Sequence, residues 1–218
     1  MKKIALLFFA ASLTALPVQA ETLAGWNFYG LIGATSTAAT QNATATHVNI
    51  GSVVASLGAG QNTGGATGGI TNQWNTRGRA VTLNGAIITN TYLTLTITPA
   101  AHYEVTVTNV SYWASYSTSI ATGTLFSAIG GFTAGSQINE GAPSGVGSAT
   151  APVLCNIPVP GGLTFTNATA FRIYFTSGSA STATIRYGDN DTDLGDTCIY
   201  VQGEVQTTLP AGTTVIIN

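Results

Sequence analysis

Hydrophobic and polar residues alternate along much of this 218-residue chain. A period of two is typical of a half-buried β-strand. From Tyr92 to Thr98, Leu or Ile holds each odd position and Tyr or Thr each even one. From Phe171 to Thr176 the same alternation places Arg172 and Tyr174 on the polar face. Because no stretch sustains the 3.6-residue period of an amphipathic helix, the pattern predicts an all-β protein.

Segments rich in Gly, Asn, Ser and Thr, such as 58–69 and 141–149, separate the predicted strands. We expect 34–46 to be a long surface loop. Many short strands punctuated this way indicate an antiparallel β-sandwich that is jelly-roll-like. About 198 residues suit one such domain, at 21–218. The predicted strands are Gly25–Tyr29, His47–Val54, Ala80–Leu83, Tyr92–Thr98, Tyr103–Tyr116, Thr124–Ile129, Val153–Ile157, Phe171–Thr176, Thr182–Tyr187, Ile199–Val205 and Thr213–Ile217.

The first twenty residues have the arrangement of a bacterial-type secretory signal peptide. Lys2 and Lys3 precede an apolar stretch from Ile4 to Leu16, and a Val-x-Ala cleavage site ends at Ala20. That stretch is shorter than the roughly 20 apolar residues of a membrane helix, and no later segment approaches this length. We therefore expect a secreted protein without a membrane span, extracellular or at the cell surface, with the periplasm as the alternative.

Charged residues are scarce and the balance is acidic. The chain has a formal net charge of −2, and loss of Lys2 and Lys3 with the signal peptide leaves four arginines against eight carboxylates, or −4. Affinity for nucleic acid comes largely from basic residues that neutralise phosphates, so this composition excludes nucleic acid as a partner. The hydrophobic content of 44% is sufficient for a buried core, so the low charge does not indicate disorder.

The chain has two cysteines, Cys155 and Cys198. An exported protein folds in an oxidising compartment, where such a pair is usually bridged, so we expect a disulfide between them. In the chain-entropy model, closing a loop of this span stabilises the fold by on the order of 4 kcal/mol. The alternative is a catalytic or metal-binding thiol, but neither cysteine has a histidine near it in sequence.

Several stretches resemble a family of secreted bacterial β-sandwich domains that often precede a PEP-CTERM or type IX secretion sorting tail. The opening Leu-Ala-Gly-Trp-Asn-Phe at 23–28 is similar to the first strand of that family. The segment 91–103 is similar to its central hairpin, and Ser-Ala-Ile-Gly-Gly-Phe-Thr at 127–133 to a loop that usually reads Ser-x-x-Asp-Gly-Phe. The closing strands of the family resemble Phe171-Arg172-Ile173-Tyr174, Thr184-Ile185-Arg186-Tyr187 and Val201-Gln202-Gly203.

The resemblance implies a jelly-roll fold and gives no catalytic residues to carry over, because its motifs are strand and turn patterns. This chain has His102 where the family usually has Gly, and Gly130 where it has an acidic residue. The two cysteines are also unusual for the family, and no sorting tail follows Val205.

All the aspartates of the chain lie within one eight-residue segment, at Asp189, Asp191, Asp193 and Asp196. Carboxylates this close repel each other unless a cation or arginines neutralise them, and oxygen ligands at alternate positions suit Ca²⁺. An EF-hand needs Gly at its sixth position and Glu at its twelfth, where this segment has Leu194 and Tyr200. The segment is a candidate calcium site, and the alternative is a solvated acidic loop steadied by Arg186 and the neighbouring disulfide.

The segment Tyr112 to Tyr116 places Trp113 on the face opposite Tyr112. If the Tyr112 face is the core, Trp113 points to solvent and, together with Trp74 from its loop, is a candidate for stacking against a sugar ring. The alternative is that Trp113 packs beneath a loop or in the second sheet, because most aromatic residues in β-sandwiches are core residues.

The chain contains no recognisable catalytic constellation. Its two histidines, His47 and His102, are accompanied by no Gly-x-Ser-x-Gly, His-Glu-x-x-His or phosphate-loop motif. Glycosidases need two carboxylates across a cleft, and Glu104, Glu140 and Glu204 show no pairing with the aspartate segment in sequence. We expect a protein that is not an enzyme.

Two functional hypotheses follow from these observations. The first is a secreted interaction module that binds an extracellular glycan or a surface protein, with calcium as a structural ion. The second is a self-assembling subunit of an extracellular fibre or matrix. It rests on the low surface charge and on the apolar segment Val215–Ile217, which could add to an open sheet edge of a neighbour or complete the chain's own sheet.

The calcium hypothesis predicts that Ca²⁺ binds the mature chain and stabilises its fold, because a bound ion relieves repulsion within the aspartate segment. Isothermal titration of residues 21–218 with calcium, and thermal unfolding with calcium and then with chelator, measure the two effects. If no binding is detected at millimolar calcium, the segment is a solvated acidic loop.

Overall fold

A computed structural model of the chain describes residues 20–29, 39–58, 62–63, 74–78, 92–116, 121–133, 135–141, 152–177, 183–188 and 197–208. Within these ranges the chain forms fourteen β-strands, arranged in two antiparallel sheets that pack as a β-sandwich. The predicted all-β antiparallel sandwich is confirmed. No helix in the described ranges is long and apolar enough to cross a membrane.

The larger sheet is organised around its longest strand, β8. Its order is β3 (Ala45–Thr46), β1 (Glu21–Trp26), β14 (Ile199–Thr207), β8 (Tyr103–Tyr116), β13 (Ala183–Tyr187), β6 (Trp74–Gly78) and β5 (Asn62–Thr63), and β11 (Val153–Phe165) also pairs with β8. Strand β14 pairs with the first part of β8 and β13 with its end, while β11 lies along the opposite side. Strand β8 is therefore hydrogen bonded on both sides over most of its length.

The smaller sheet has the order β10 (Asn139–Gly141), β9 (Ala121–Ser127), β12 (Thr169–Ser177), β7 (Tyr92–Pro99), β4 (Ile50–Leu57) and β2 (Thr40–Asn42). From β7 to β9, and again from β11 to β13, consecutive strands alternate between the two sheets. Consecutive strands in these two runs therefore lie in opposite layers of the sandwich.

Aromatic residues fill much of the space between the sheets. Trp26 and Trp74 are completely buried, and burying about 150–250 Å² of each stabilises the fold by roughly 4–6 kcal/mol as an upper estimate. The ring centroid of Trp74 lies 5.7 Å from that of Phe28 and 5.9 Å from that of Tyr187. The buried indole N–H of Trp26 donates to the carbonyl of Gln41 at 3.1 Å, which satisfies its polar group.

The bounds of β8 agree with the prediction, whereas other elements differ. Strand β11 continues to Phe165, beyond the predicted end at Ile157. The expected surface loop at 34–46 contains β2 and β3 in its described part, because these short strands pair with β4 and β1 respectively. The predicted strands Ala80–Leu83 and Thr213–Ile217 lie outside the described residues.

The turn between β7 and β8 places His102 in a left-handed backbone conformation, with φ of 69°. Glycine adopts this region without the steric cost that a Cβ adds, so glycine would fit this turn position with less strain than His102. The carbonyl of His102 accepts a hydrogen bond from the amide of Thr208 at 2.8 Å, and its side chain is exposed. His102 is thus a turn residue.

The structure contains no disulfide between Cys155 and Cys198, which corrects that prediction. Cys155 pairs with Tyr112 on one side of β8, whereas Cys198 precedes Ile199, which pairs with Tyr112 on the other side. Residues that flank the same residue of a strand on its two sides are two strand spacings, or about 9.5 Å, apart. A disulfide needs Cα atoms within about 4.4–6.8 Å. The two cysteines are instead separate buried residues.

The sheets approach each other closely where Tyr112 of β8 faces Gly123 of β9. A Cβ at Gly123 would clash with the Tyr112 hydroxyl and lie 3.1 Å from Cγ2 of Ile173. We expect Gly123→Ala to lower the free energy of unfolding by about 1–3 kcal/mol, because overpacking a core forces side chains to shift.

Urea denaturation measures this change, and Gly51→Ala is the matched control because its Cβ would meet neighbours at an ordinary 3.5 Å. Tyr112→Phe should cost less in the Gly123→Ala background than in the wild type, because it removes the clashing oxygen. Equal stabilities for Gly123→Ala and Gly51→Ala would contradict this packing.

Candidate functional site

The side of the larger sheet that faces away from the smaller sheet, its outer face, carries Trp113. Tyr112 and Ala114 are completely buried in the core, whereas Trp113 between them is half-buried. Side chains alternate across a strand, so Trp113 lies on the outer face with part of its side chain accessible. It makes no ring contact with another described residue.

The register of the sheet brings residues of the two neighbouring strands, β11 and β14, close to Trp113 of β8. Leu154 of β11 lies directly beside it, and Tyr200 of β14 pairs with Ser111, one diagonal position away. Diagonal neighbours in an antiparallel pair are about 7–8 Å apart, close enough for two aromatic side chains to form one surface. With the polar neighbours described next, we call this surface the outer patch: Trp113, Tyr200, Leu154, Asn109, Ser111, Asn156 and Gln202.

A hydrogen-bonded network orders the polar part of the outer patch. The side-chain amide of Asn109 donates to the Ser111 hydroxyl at 2.7 Å and to the side-chain carbonyl of Gln202 at 2.9 Å. The Ser111 hydroxyl, which is completely buried, donates to the side-chain carbonyl of Asn156 at 2.6 Å. Four side chains from three strands are therefore held in fixed positions.

The network leaves polar atoms for a ligand. The Nδ2 donors of Asn156, the Nε2 donors of Gln202 and the Oδ1 acceptor of Asn109 have no protein partner within the described part of the chain. Asn156 is exposed, and Asn109 and Gln202 are half-buried. The outer patch thus presents donors and an acceptor beside two aromatic rings, and none of its residues is charged at neutral pH.

The backbone of Trp113 also forms hydrogen bonds with Gly188 and Cys198, which flank the aspartate segment in sequence. Its amide donates to the carbonyl of Cys198 at 2.8 Å, and its carbonyl accepts from the amide of Gly188 at 3.0 Å. The predicted calcium ligands Asp189, Asp191, Asp193 and Asp196 lie outside the described residues. Within the described residues, no group of three or more His, Cys, Asp or Glu side chains could hold a metal ion.

Trp74 does not join Trp113 at the surface, which corrects its predicted position. It lies on strand β6 and not in a loop, and it pairs in register with Tyr187 of β13. Its side chain is completely buried against Phe28 and Tyr187. The sequence pattern gives no signal for Tyr200 or the amide network, because their positions next to Trp113 depend on the pairing of distant strands.

His47, Glu104 and Glu204, the other titratable residues noted in the sequence, occupy structural positions. His47 Nε2 lies 3.3 Å from a carboxylate oxygen of Glu21, and its Nδ1 accepts a hydrogen bond from the amide of Asn49 at 3.2 Å. Glu104 and Glu204 occupy diagonal positions at the far end of the larger sheet, on an open face.

Neither a scan against protein-family models nor a search of curated proteins found a match for this chain.

Proposed function

We propose that this protein is a secreted extracellular module that binds a neutral glycan through the outer patch, without catalysing a reaction. The observation that carries the proposal is the half-buried Trp113 beside Tyr200 and a hydrogen-bonded amide network. The apolar face of an aromatic ring matches the C–H side of a pyranose, and amide groups match sugar hydroxyls, which both donate and accept.

The ordered network reduces the entropic cost of binding. Immobilising a flexible side chain at an interface costs about 0.5–1.5 kcal/mol. The Nδ2 of Asn109 already donates to the Oε1 of Gln202 at 2.9 Å, so much of this cost is met when the protein folds. An uncharged patch also favours a neutral ligand over an acidic or basic one.

A surface protein is a less suitable ligand for the outer patch. A standard protein interface covers about 800 Å² on each partner and is centred on fully desolvated aromatic anchors. The outer patch instead contains several hydrogen-bonding amides around two half-buried aromatic residues. That composition fits recognition of hydroxyl groups.

Calcium is part of this proposal as a structural ion. Gly188 and Cys198, which flank the aspartate segment in sequence, hydrogen bond to the backbone of Trp113. An ion that ordered the segment would therefore stabilise the border of the outer patch, so glycan affinity should fall when calcium is chelated.

We predict that Trp113→Ala lowers the association constant for a neutral polysaccharide at least tenfold, or about 1.4 kcal/mol, because it removes the stacking surface. Isothermal titration against a panel of neutral gluco-, xylo-, manno- and galacto-oligosaccharides identifies the ligand and measures the loss. Asn156→Ala should weaken the same interaction, because it removes exposed donors.

Asn167→Ala is the matched control, because Asn167 is also exposed but lies in the turn between β11 and β12. Its affinity should equal that of the wild type, and all variants should keep the thermal midpoint within a few degrees. Wild-type affinity in Trp113→Ala, or no binding to any neutral oligosaccharide, would refute the proposed function.

Self-assembly by strand addition is the second candidate function, and one observation favours it. Strand β11 is a thirteen-residue strand that pairs with β8 on one side only, among the described strands. Unpaired strand edges can accept a strand from a neighbouring molecule.

Features of β11 oppose such addition. Pro158 and Pro160 have no amide hydrogen to donate, and the carbonyl of Pro158 accepts a hydrogen bond from the side-chain amide of Asn139 at 2.9 Å. Gly161 and Gly162 have φ of 75° and 71° and form an irregularity in the pairing with β8. Only the first part of β11 offers regular backbone to a partner.

We therefore predict that purified residues 21–218 are monomeric, with calcium and with chelator. Light scattering measures the solution mass under both conditions. Large assemblies, particularly ones lost on deletion of 215–218, would favour the fibre hypothesis over the binding module.

A further inference from the structure

Arg172 lies between two aromatic rings on the outer face of the smaller sheet. Its guanidinium carbon is 4.2 Å from the ring centroid of Tyr92 and 4.0 Å from that of Phe132. Beneath them, Phe126 and Tyr174 are almost completely buried, and the Tyr174 ring packs on Tyr92 with centroids 5.3 Å apart. Two rings this close restrict the orientation of the guanidinium.

The loop that positions Phe132 is itself held by hydrogen bonds. The Ser136 hydroxyl contacts the carbonyl of Gly131 at 2.9 Å and that of Thr133 at 2.8 Å, and it accepts from the amide of Thr133 at 3.2 Å. Ser127 and Gly131 close the base of the loop as an isolated β-bridge. The stacked arrangement around Arg172 is therefore built before any ligand arrives.

The guanidinium lacks the partners that a half-buried arginine normally has. Its Nη1 reaches only the Tyr174 hydroxyl at 3.5 Å, and its Nε is buried without a hydrogen bond. Among the described carboxylates, only that of Glu140 lies on this face, where it accepts from the Thr124 hydroxyl at 3.5 Å. No described carboxylate forms an ion pair with Arg172.

Hydroxyl-bearing residues extend from Arg172 across the sheet. Thr94 of β7 pairs with Arg172, Ser56 of β4 pairs with Thr94, and Thr40 of β2 pairs with Ser56. Three strand spacings make this row about 14 Å long. Thr94 is buried, Ser56 is half-buried and Thr40, at the sheet edge, is exposed. None of these three residues is charged.

We propose that Arg172 binds the carboxylate of an acidic polysaccharide whose chain crosses the smaller sheet along Ser56 and Thr40. A planar guanidinium binds a carboxylate through two parallel hydrogen bonds. Neighbouring hydroxyls suit a ligand in which each carboxylate is surrounded by hydroxyl groups, which is the chemistry of a uronic acid. The carboxylate would take hydrogen bonds from the terminal Nη groups of Arg172, because its Nε is buried.

This site is independent of the outer patch, because it lies on the opposite side of the sandwich and uses a charge. Binding should therefore weaken as salt is raised, whereas binding of a neutral glycan to the outer patch should change little. Loss of the outer patch through Trp113→Ala should leave binding at Arg172 unchanged.

The test compares oligogalacturonate with its fully methyl-esterified form, which has the same sugars without the carboxylates. Isothermal titration of the full mature chain should show at least tenfold tighter binding of the acid than of the ester. Arg172→Gln should lower the association constant for the acid at least tenfold. Arg172→Lys should also lose most of it, because an ammonium group cannot form the paired hydrogen bonds.

Arg77→Gln is the matched control, since it removes an arginine from strand β6 of the larger sheet, and it should bind within twofold of the wild type. A second measurement uses the wild-type protein, so it does not depend on whether a variant folds. The Nε–H resonance of Arg172 should shift on titration with the acid and not with the ester. Equal binding of acid and ester, an unmoved Arg172 resonance, or full affinity in a folded Arg172→Gln would overturn the proposal.

Discussion

The pairing of strand β8 on both sides is the constraint on which the rest of the larger sheet depends. It connects β11 to β14 and β13, so it fixes the register of strands that are far apart in sequence. The alternation of side chains along β8 then sends Tyr112 into the core and Trp113 to the outer face. Core packing and the candidate binding surface are therefore set by the same strand, one residue apart.

The local pattern of the sequence contained enough information for much of this architecture. Period-two alternation predicts strands wherever one face of a strand is buried, and it predicted the bounds of β8 and that Trp113 and Tyr112 lie on opposite faces. Short strands such as β2 and β3 have no such signal, because two or three residues cannot establish a period. They form because longer neighbouring strands supply their hydrogen bonds.

The features that the sequence could not give depend on which distant strands become neighbours. Cys155 pairs with Tyr112, and Cys198 precedes the residue that pairs with Tyr112 on the other side of β8. No local pattern distinguishes that arrangement from a bridge. Trp74 is buried because β6 pairs with β13, more than a hundred residues later. The hydrogen bond between Asn109 and Gln202 spans 93 positions, so the amide network emerges only when the sheet is assembled.

The two outer faces of the sandwich point in opposite directions, since each sheet uses its inner face for the common core. Residues on one outer face can change without disturbing either the core or the other face, so selection can shape the two surfaces separately. A molecule that held one polymer chain on each face would act as a cross-link. Its effect on an extracellular matrix would then be mechanical, because the stiffness and porosity of a polymer network depend on how many such junctions it contains.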